Sequence, residues 1–181
     1  MSGAIGSVRN VKIFVLYLME NINYPLDFVT LNDIVMQTDY VMYLDFAEAL
    51  AEMLDGDLVS KTERDGEAYY TVTEKGRMVA RELKSDLLPS ILDRSLSAAL
   101  RYLNFKKRGI VASCTVSPTE DGRFEVRCSF TENKACIFSQ SVVVDTENRA
   151  ERMKANFEER PEAIYRGVLA LMAGNVNYLF D

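Results

Sequence analysis

TERDGEAYYTVTEKG, residues 62–76, sets an Asp-Gly step between two strand-like runs and follows the second run at once with a helix cap. Asp65 and Gly66 suit the two central positions of a type I′ turn, both of which need positive φ. LVSKTER before them and EAYYTVT after them then become the arms of a hairpin. A two-residue loop sets Arg64 opposite Glu67, Lys61 opposite Tyr70 and Val59 opposite Val72. On that register Val59, Tyr70 and Val72 share a face that can cover a core, while Tyr69 and Thr71 point away. Thr73 is the expected N-cap of a helix that carries Val79 and Leu83 inward.

Working upstream, LDFAEALAEMLDGD (44–57) reads as the helix that leads into the hairpin. Asp45 and Glu48 fit the spacing of a capping box, with Asp in place of Ser or Thr. Phe46, Ala49, Leu50, Met53 and Leu54 form one apolar stripe, and Gly56 supplies a stop. The opposite face is Ala47, Glu48, Ala51, Glu52 and Asp55. Thr30 with Asp33 predicts the cap of a shorter helix with Leu31, Ile34 and Val35 inside. VKIFVLYLMENIN (11–23) is apolar almost all round, as a central helix of a small bundle would be, and Pro25 closes it.

The order helix, helix, helix, hairpin, helix resembles a winged helix-turn-helix domain over roughly residues 8–86. The third helix runs through LDGDLVSK into the hairpin, and YYTVTEKG steps into the next helix. This is similar to bacterial regulators of the phenolic-acid and multiple-antibiotic-resistance types, in which Tyr-x-Leu-Thr-x-x-Gly closes the wing; here Tyr70, Val72, Thr73 and Gly76 stand in those places. A winged helix followed by one long helix and a β-rich tail also resembles an uncharacterised bacterial family, a domain of unknown function with a regulator-like N-terminus.

Downstream, LLPSILDRSLSAALRYLNFKKRG predicts a long helix with a stripe of Leu88, Leu92, Leu96, Ala99, Leu100 and Leu103. The basic FKKR at 105–108 suits its C-terminus, and Gly109 ends it. Three strands should follow, with one alternating apolar face made of Ile110, Ala112, Cys114 and Val116; Phe124, Val126, Cys128 and Phe130; and Cys136, Phe138, Val142 and Val144. Turns are expected at PTEDG and TENK. TENRAERMKANFEE supplies an amphipathic helix with Ala150, Met153 and Phe157, and Pro161 opens a last helix running to Gly174. The whole reads as an α+β chain: a winged helix in residues 1–86, then in residues 87–181 a linking or dimerisation helix and a small three-stranded antiparallel sheet covered by C-terminal helices.

Composition narrows the functions. The chain has no histidine, so the commonest general base and metal ligand is missing, and none of its nine glycines forms a phosphate loop. No catalytic cluster is visible; an enzyme, a cofactor and a metal are not expected. Cys114, Cys128 and Cys136 have no metal-binding spacing and read as small core thiols of a reducing compartment. The longest apolar run, Ile13 to Met19, is far below the roughly 20 residues of a membrane span. The N-terminus does not resemble a secretory signal, so a cytoplasmic location is expected.

The resemblance implies a DNA-binding transcription regulator, with the third helix in the major groove and the hairpin on neighbouring phosphates. Its contact residues would be Arg9 and Lys12 on the first helix, Tyr43, Ala47, Glu48 and Ala51 on the third, and Lys61, Arg64 and Tyr69 on the hairpin. Charge points elsewhere: residues 1–86 hold 8 Lys and Arg against 15 Asp and Glu, a net −7, while residues 87–181 hold 13 against 12. Glu48, Glu52 and Asp55 put carboxylates and no cation on the reading face, although phosphate binding rests on Lys and Arg. Arg64 faces Glu67 and an ion pair there is the simpler expectation. Lys75, Arg77, Arg81 and Lys84 alternate with acids and read as a solvated face. The alternative is a protein-binding scaffold that uses the acidic third helix with exposed Tyr40, Tyr43 and Tyr69. A homodimer is expected, either through the helix from Leu88 to Arg108 or with that helix packed internally. A small effector between the sheet and its helices is a further expectation. Gln140 is the polar residue on that apolar face, either hydrogen-bonded in the core or at a sheet edge.

Overall fold

A computed structural model describes residues 5–175. Seven α-helices and two three-stranded antiparallel sheets are found among the described residues, an α+β architecture. Two compact units divide the chain, Met1–Leu103 and Asn104–Asp181.

In the first unit α1 (Val8–Ile22) is capped by Ser7, which accepts from the Asn10 amide, and ends at Asn23 in the left-handed region with φ 59°. Eight of its residues are buried, Phe14, Val15, Leu16 and Leu18 completely, so it forms the centre of the bundle. Burying one such side chain contributes roughly 1.5–3 kcal/mol, which outweighs any helix propensity in this stretch. β1 (Leu26–Asp27) then pairs with the hairpin, Leu26 against Tyr70 and Asp27 against Tyr69. Two residues between Pro25 and the next helix carry no strand signal, so the expected two-stranded hairpin is a three-stranded sheet of order β1-β3-β2.

α2 (Phe28–Met36) starts earlier than its sequence suggests. Asp27 is the cap and accepts from the Thr30 amide, while Thr30 is buried and turns its hydroxyl to the same carboxylate. A carboxylate held at the end of β1 reaches the free amides better than a threonine already drawn into the core. α3 (Tyr43–Asp55) also starts early, at a Met42 cap with no side-chain bond. The Phe46 amide bonds to the Met42 carbonyl, which winds Asp45 into the first turn, and the Asp45–Glu48 capping box is not formed. Asp45 there still favours the positive end of the helix. Phe46, Ala49, Leu50 and Met53 are buried as their spacing requires.

The hairpin is β2 (Val59–Arg64) and β3 (Glu67–Val72), with Arg64 opposite Glu67, Lys61 opposite Tyr70 and Val59 opposite Val72. Asp65 and Gly66 take φ 53° and 82°, the type I′ geometry. Thr73 caps α4 (Glu74–Leu83) by accepting from the Gly76 amide. A short 3₁₀ turn at Lys84–Asp86 leads to α5 (Pro89–Lys107). The division between units falls inside α5 rather than after residue 86, because Leu92 and Ala99 belong to the core of the first unit, with Leu96, Tyr102 and Leu103 against it. Leu88 and Leu100, expected in that stripe, are 65% and 50% exposed; Ser95 and Ala98 are buried instead. The buried face is thus rotated by about one residue.

The second unit holds β4 (Val111–Pro118), β5 (Phe124–Glu132) and β6 (Ala135–Val144) as a meander of order β4-β5-β6. Thr146 caps α6 (Glu147–Glu159), and Pro161 opens α7 (Pro161–Met172). Phe105, Phe130, Phe157 and Tyr165 form its aromatic centre, Phe130 lying 4.8 Å from Phe157 and 5.1 Å from Tyr165 between ring centroids. Cys114 and Cys128 are buried in this core, but Cys136 is exposed. A bulge between Phe130 and Thr131 explains the difference: Phe130 pairs with Phe138 while Thr131 pairs with Cys136, so the extra residue turns Cys136 to the outer face. Gln140 pairs with Cys128 on the inner face of β6, an edge strand.

Candidate functional site

The surface that the sequence singles out is the solvent side of α3 with the hairpin and the start of α1. Tyr43, Ala47, Glu48 and Ala51 all lie exposed on α3, Tyr43 at 54%. They share one helical face with Leu44, 76% exposed, and Met42 lies exposed at the helix start. Neither Met42 nor Leu44 is among the contact residues expected from the sequence, where Asp45 stood as the cap. Starting the helix at Tyr43 aligns Leu44, Ala47, Glu48, Ala51 and Asp55 at helical spacing. Tyr40, expected to be exposed, is half-buried against the core.

Cations around this face are engaged unequally. Lys12 reaches across from α1 and pairs with Glu52 of α3 at 2.5 Å. Arg9, one turn earlier, is drawn to Asp86 at 2.7 Å. Both pairs are solvent-accessible, so each is worth about 0–1 kcal/mol and is readily exchanged for another anion. On α4, Lys75 donates to the Gly56 carbonyl at 2.8 Å, Arg77 to Asn23 Oδ1 at 2.7 Å, and Arg81 pairs with Glu20. These side chains hold the ends of α3 and α1 rather than forming a solvated row. The lysine at the α3 terminus satisfies a carbonyl that the helix itself leaves open.

Lys61 and Arg64 are exposed on the hairpin. Glu67, expected to hold Arg64, accepts instead from the Tyr69 hydroxyl at 3.1 Å, and that bond raises the Tyr69 pKa above its usual value. No ion pair of Arg64 or Lys61 is found among the described residues; Arg64 stands at the hairpin tip beside Asp65, while Lys61 lies in the middle of β2 opposite Tyr70, on the other face of the ribbon. Tyr69 itself is half-buried, flanked by Asp27 of β1 and Thr62 of β2.

Within the first unit the fold therefore brings Lys12 to the α3 face, keeps the Lys61 and Arg64 side chains accessible, and ties Arg9 to a turn at the other end of the chain segment. Three or more Asp, Glu or Cys groups placed to hold a metal ion do not occur among the described residues. No helix among them is long and apolar enough to cross a membrane. In the second unit Arg108, expected only as a helix-end cation, clamps Glu132 with bonds of 2.8 and 3.2 Å and lies over the Tyr165 ring.

Fold and surface define a two-unit α+β protein in which a helical bundle carries a short β-ribbon beside an acidic, partly apolar helix. Residues 11–172 match the family described as a domain of unknown function, DUF4364, and the chain belongs to that family. No curated protein and no solved structure is detectably similar to it.

Proposed function

We propose that the first unit is a winged helix-turn-helix module and that the protein is a DNA-binding regulator of transcription acting through it. One observation carries the reading: β1, lying between α1 and α2, pairs with β3, which pairs with β2, so the ribbon is anchored beside α3 and projects Lys61 and Arg64. In such a module α3 is offered to the major groove and the ribbon to the adjoining backbone. The charge distribution sets how it would bind. With Glu48 and Asp55 on α3, affinity has to come from Lys61 and Arg64, joined by Lys12 and Arg9 once phosphates displace Glu52 and Asp86. Two to four neutralised phosphates give a slope of log K against log salt of about −2 to −4. Regulators of this kind bind paired half-sites, so a homodimer belongs to the proposal.

Fluorescence anisotropy of a labelled duplex at low salt tests it. Micromolar binding that weakens on that slope is the expected result; an unchanged signal at about 50 mM salt rejects it.

A second reading is favoured by one feature, the α3 face itself. Met42, Tyr43 and Leu44 form an exposed apolar tip at the start of a face that continues along α3 through Glu48, Glu52 and Asp55, which fits a protein partner offering a basic segment with an apolar side. Changing Glu48 and Glu52 to Lys should abolish capture of such a partner and strengthen duplex binding if DNA is the ligand.

A further inference from the structure

The sheet of the second unit ends in a strand whose outer edge is open among the described residues and whose side chains repeat in mirror order. Among the described residues β6 is hydrogen-bonded on one side only, to β5. About Gln140 its residues run Ile137, Phe138, Ser139, Gln140, Ser141, Val142, Val143: aliphatic, apolar, serine, glutamine, serine, apolar, aliphatic. When two copies of one strand pair antiparallel across a two-fold axis, residues equidistant from the axis face each other. With the axis at Gln140, Phe138 meets Val142 of a second copy on the inner face, Ser139 meets Ser141 on the outer face, and Gln140 meets its own equivalent. Like faces like on both sides of the sheet, and a glutamine pair can exchange amide hydrogen bonds.

Two usual guards of an edge strand, charge and proline, are missing. Ala135–Val144 contains no charged residue and no proline, the devices that stop one sheet from pairing with another. β4, at the other edge, closes on Pro118 and has α6 packed along it. Along β6 the inner face is incompletely covered, with Val142 38% exposed; Val143 on the outer face is 43% exposed and Ile137 at the bulge 37%. The bulge at Phe130/Thr131 lies at the far end of the mirrored segment, so Phe138 to Val144 pairs with β5 in regular register. Charge also permits self-association: residues 104–181 hold 11 Lys and Arg against 11 Asp and Glu, whereas residues 1–103 hold 10 against 16.

We propose that β6 pairs with β6 of a second copy about a two-fold axis at Gln140, joining two three-stranded sheets into one of six strands. The interface is independent of whether the first unit binds DNA or protein, and α5 is not needed to form it.

Sedimentation equilibrium of the full chain at tens of micromolar tests the proposal. The expected mass is twice 20.5 kDa. Gln140→Lys places two ammonium groups against each other at the axis and should give a monomer that melts as wild type does, while an equal mixture with Gln140→Glu restores the dimer. Ser139→Lys combined with Ser141→Lys, both on the exposed outer face, should also give a folded monomer, and serves if Gln140→Lys does not fold. A wild-type chain that sediments as a monomer, or a dimer that persists in both lysine variants, overturns it.

Discussion

Gly76 lies so close to the Leu58 carbonyl oxygen that a Cβ at residue 76 would stand 2.1 Å from it. The Thr73 amide donates to the same carbonyl at 3.0 Å and the Thr73 hydroxyl to the adjoining Asp57 carbonyl at 2.7 Å, so the exit of α3 and the entry of α4 are bolted together at two successive carbonyls. This contact gives a physical reason for the Thr-x-x-Gly step after the hairpin.

Gly76→Ala is expected to destabilise the first unit by about 1–3 kcal/mol, because backbone and not a flexible side chain must give way. Thr73→Ala removes the cap and should cost about 1 kcal/mol. Urea unfolding of each variant measures both; equal stability of Gly76→Ala and wild type would mean that α4 can shift without loss.

Tyr102 of α5 donates to Asp33 Oδ2 of α2, and burial first, then that bond, raises its pKa well above the ordinary 10.0. The folded chain keeps the phenol proton where the unfolded chain loses it. Its stabilisation is therefore complete below pH ~10 and declines as pH rises above that value. Tyr102→Phe should cost about 1–2 kcal/mol at neutral pH and flatten the alkaline decline. Denaturant midpoints across that range provide the comparison.

The three thiols should separate on alkylation. Cys114 and Cys128 are cross-strand partners with sulfurs 2.8 Å apart, and burial, then the Cys114 thiol beside it, pushes Cys128 up to about 12. Iodoacetamide near neutral pH should add one group, at Cys136, to the folded chain and three to the unfolded chain, read by intact mass. Rapid modification of all three in the native state would contradict the burial.

On the α3 surface, Glu52→Gln releases Lys12 from its ion pair and lowers the negative charge of the face. Stability should change by less than about 1 kcal/mol. Duplex affinity should rise if Lys12 serves a phosphate, and Lys61→Glu with Arg64→Glu should lower it and flatten the salt slope by about 2. Anisotropy titrations at two salt concentrations read both changes.

Local chemistry was legible wherever it was carried by neighbours in the chain. Asp65-Gly66 dictated the turn and thereby the pairing of Val59 with Val72, and the stripe of α3 dictated its buried face, because turn geometry and helical spacing act over a few residues. Start points were less legible: Asp27, not Thr30, caps α2, since β1 exists only through its pairing with β3. Cys136 was misplaced for a similar reason, as the bulge that turns it outward is a property of two strands together.

By itself the sequence determined the ribbon, the order of the helices and the acidic α3 face, all of which follow from residues close in the chain. Only the tertiary structure decided that Lys12 is tied to Glu52, that the α4 cations hold helix ends, and that α5 as far as Leu103 belongs to the first unit. Those outcomes depend on which distant groups meet, and a side chain's charge or apolarity fixes what it can pair with but not which partner the packing brings within reach.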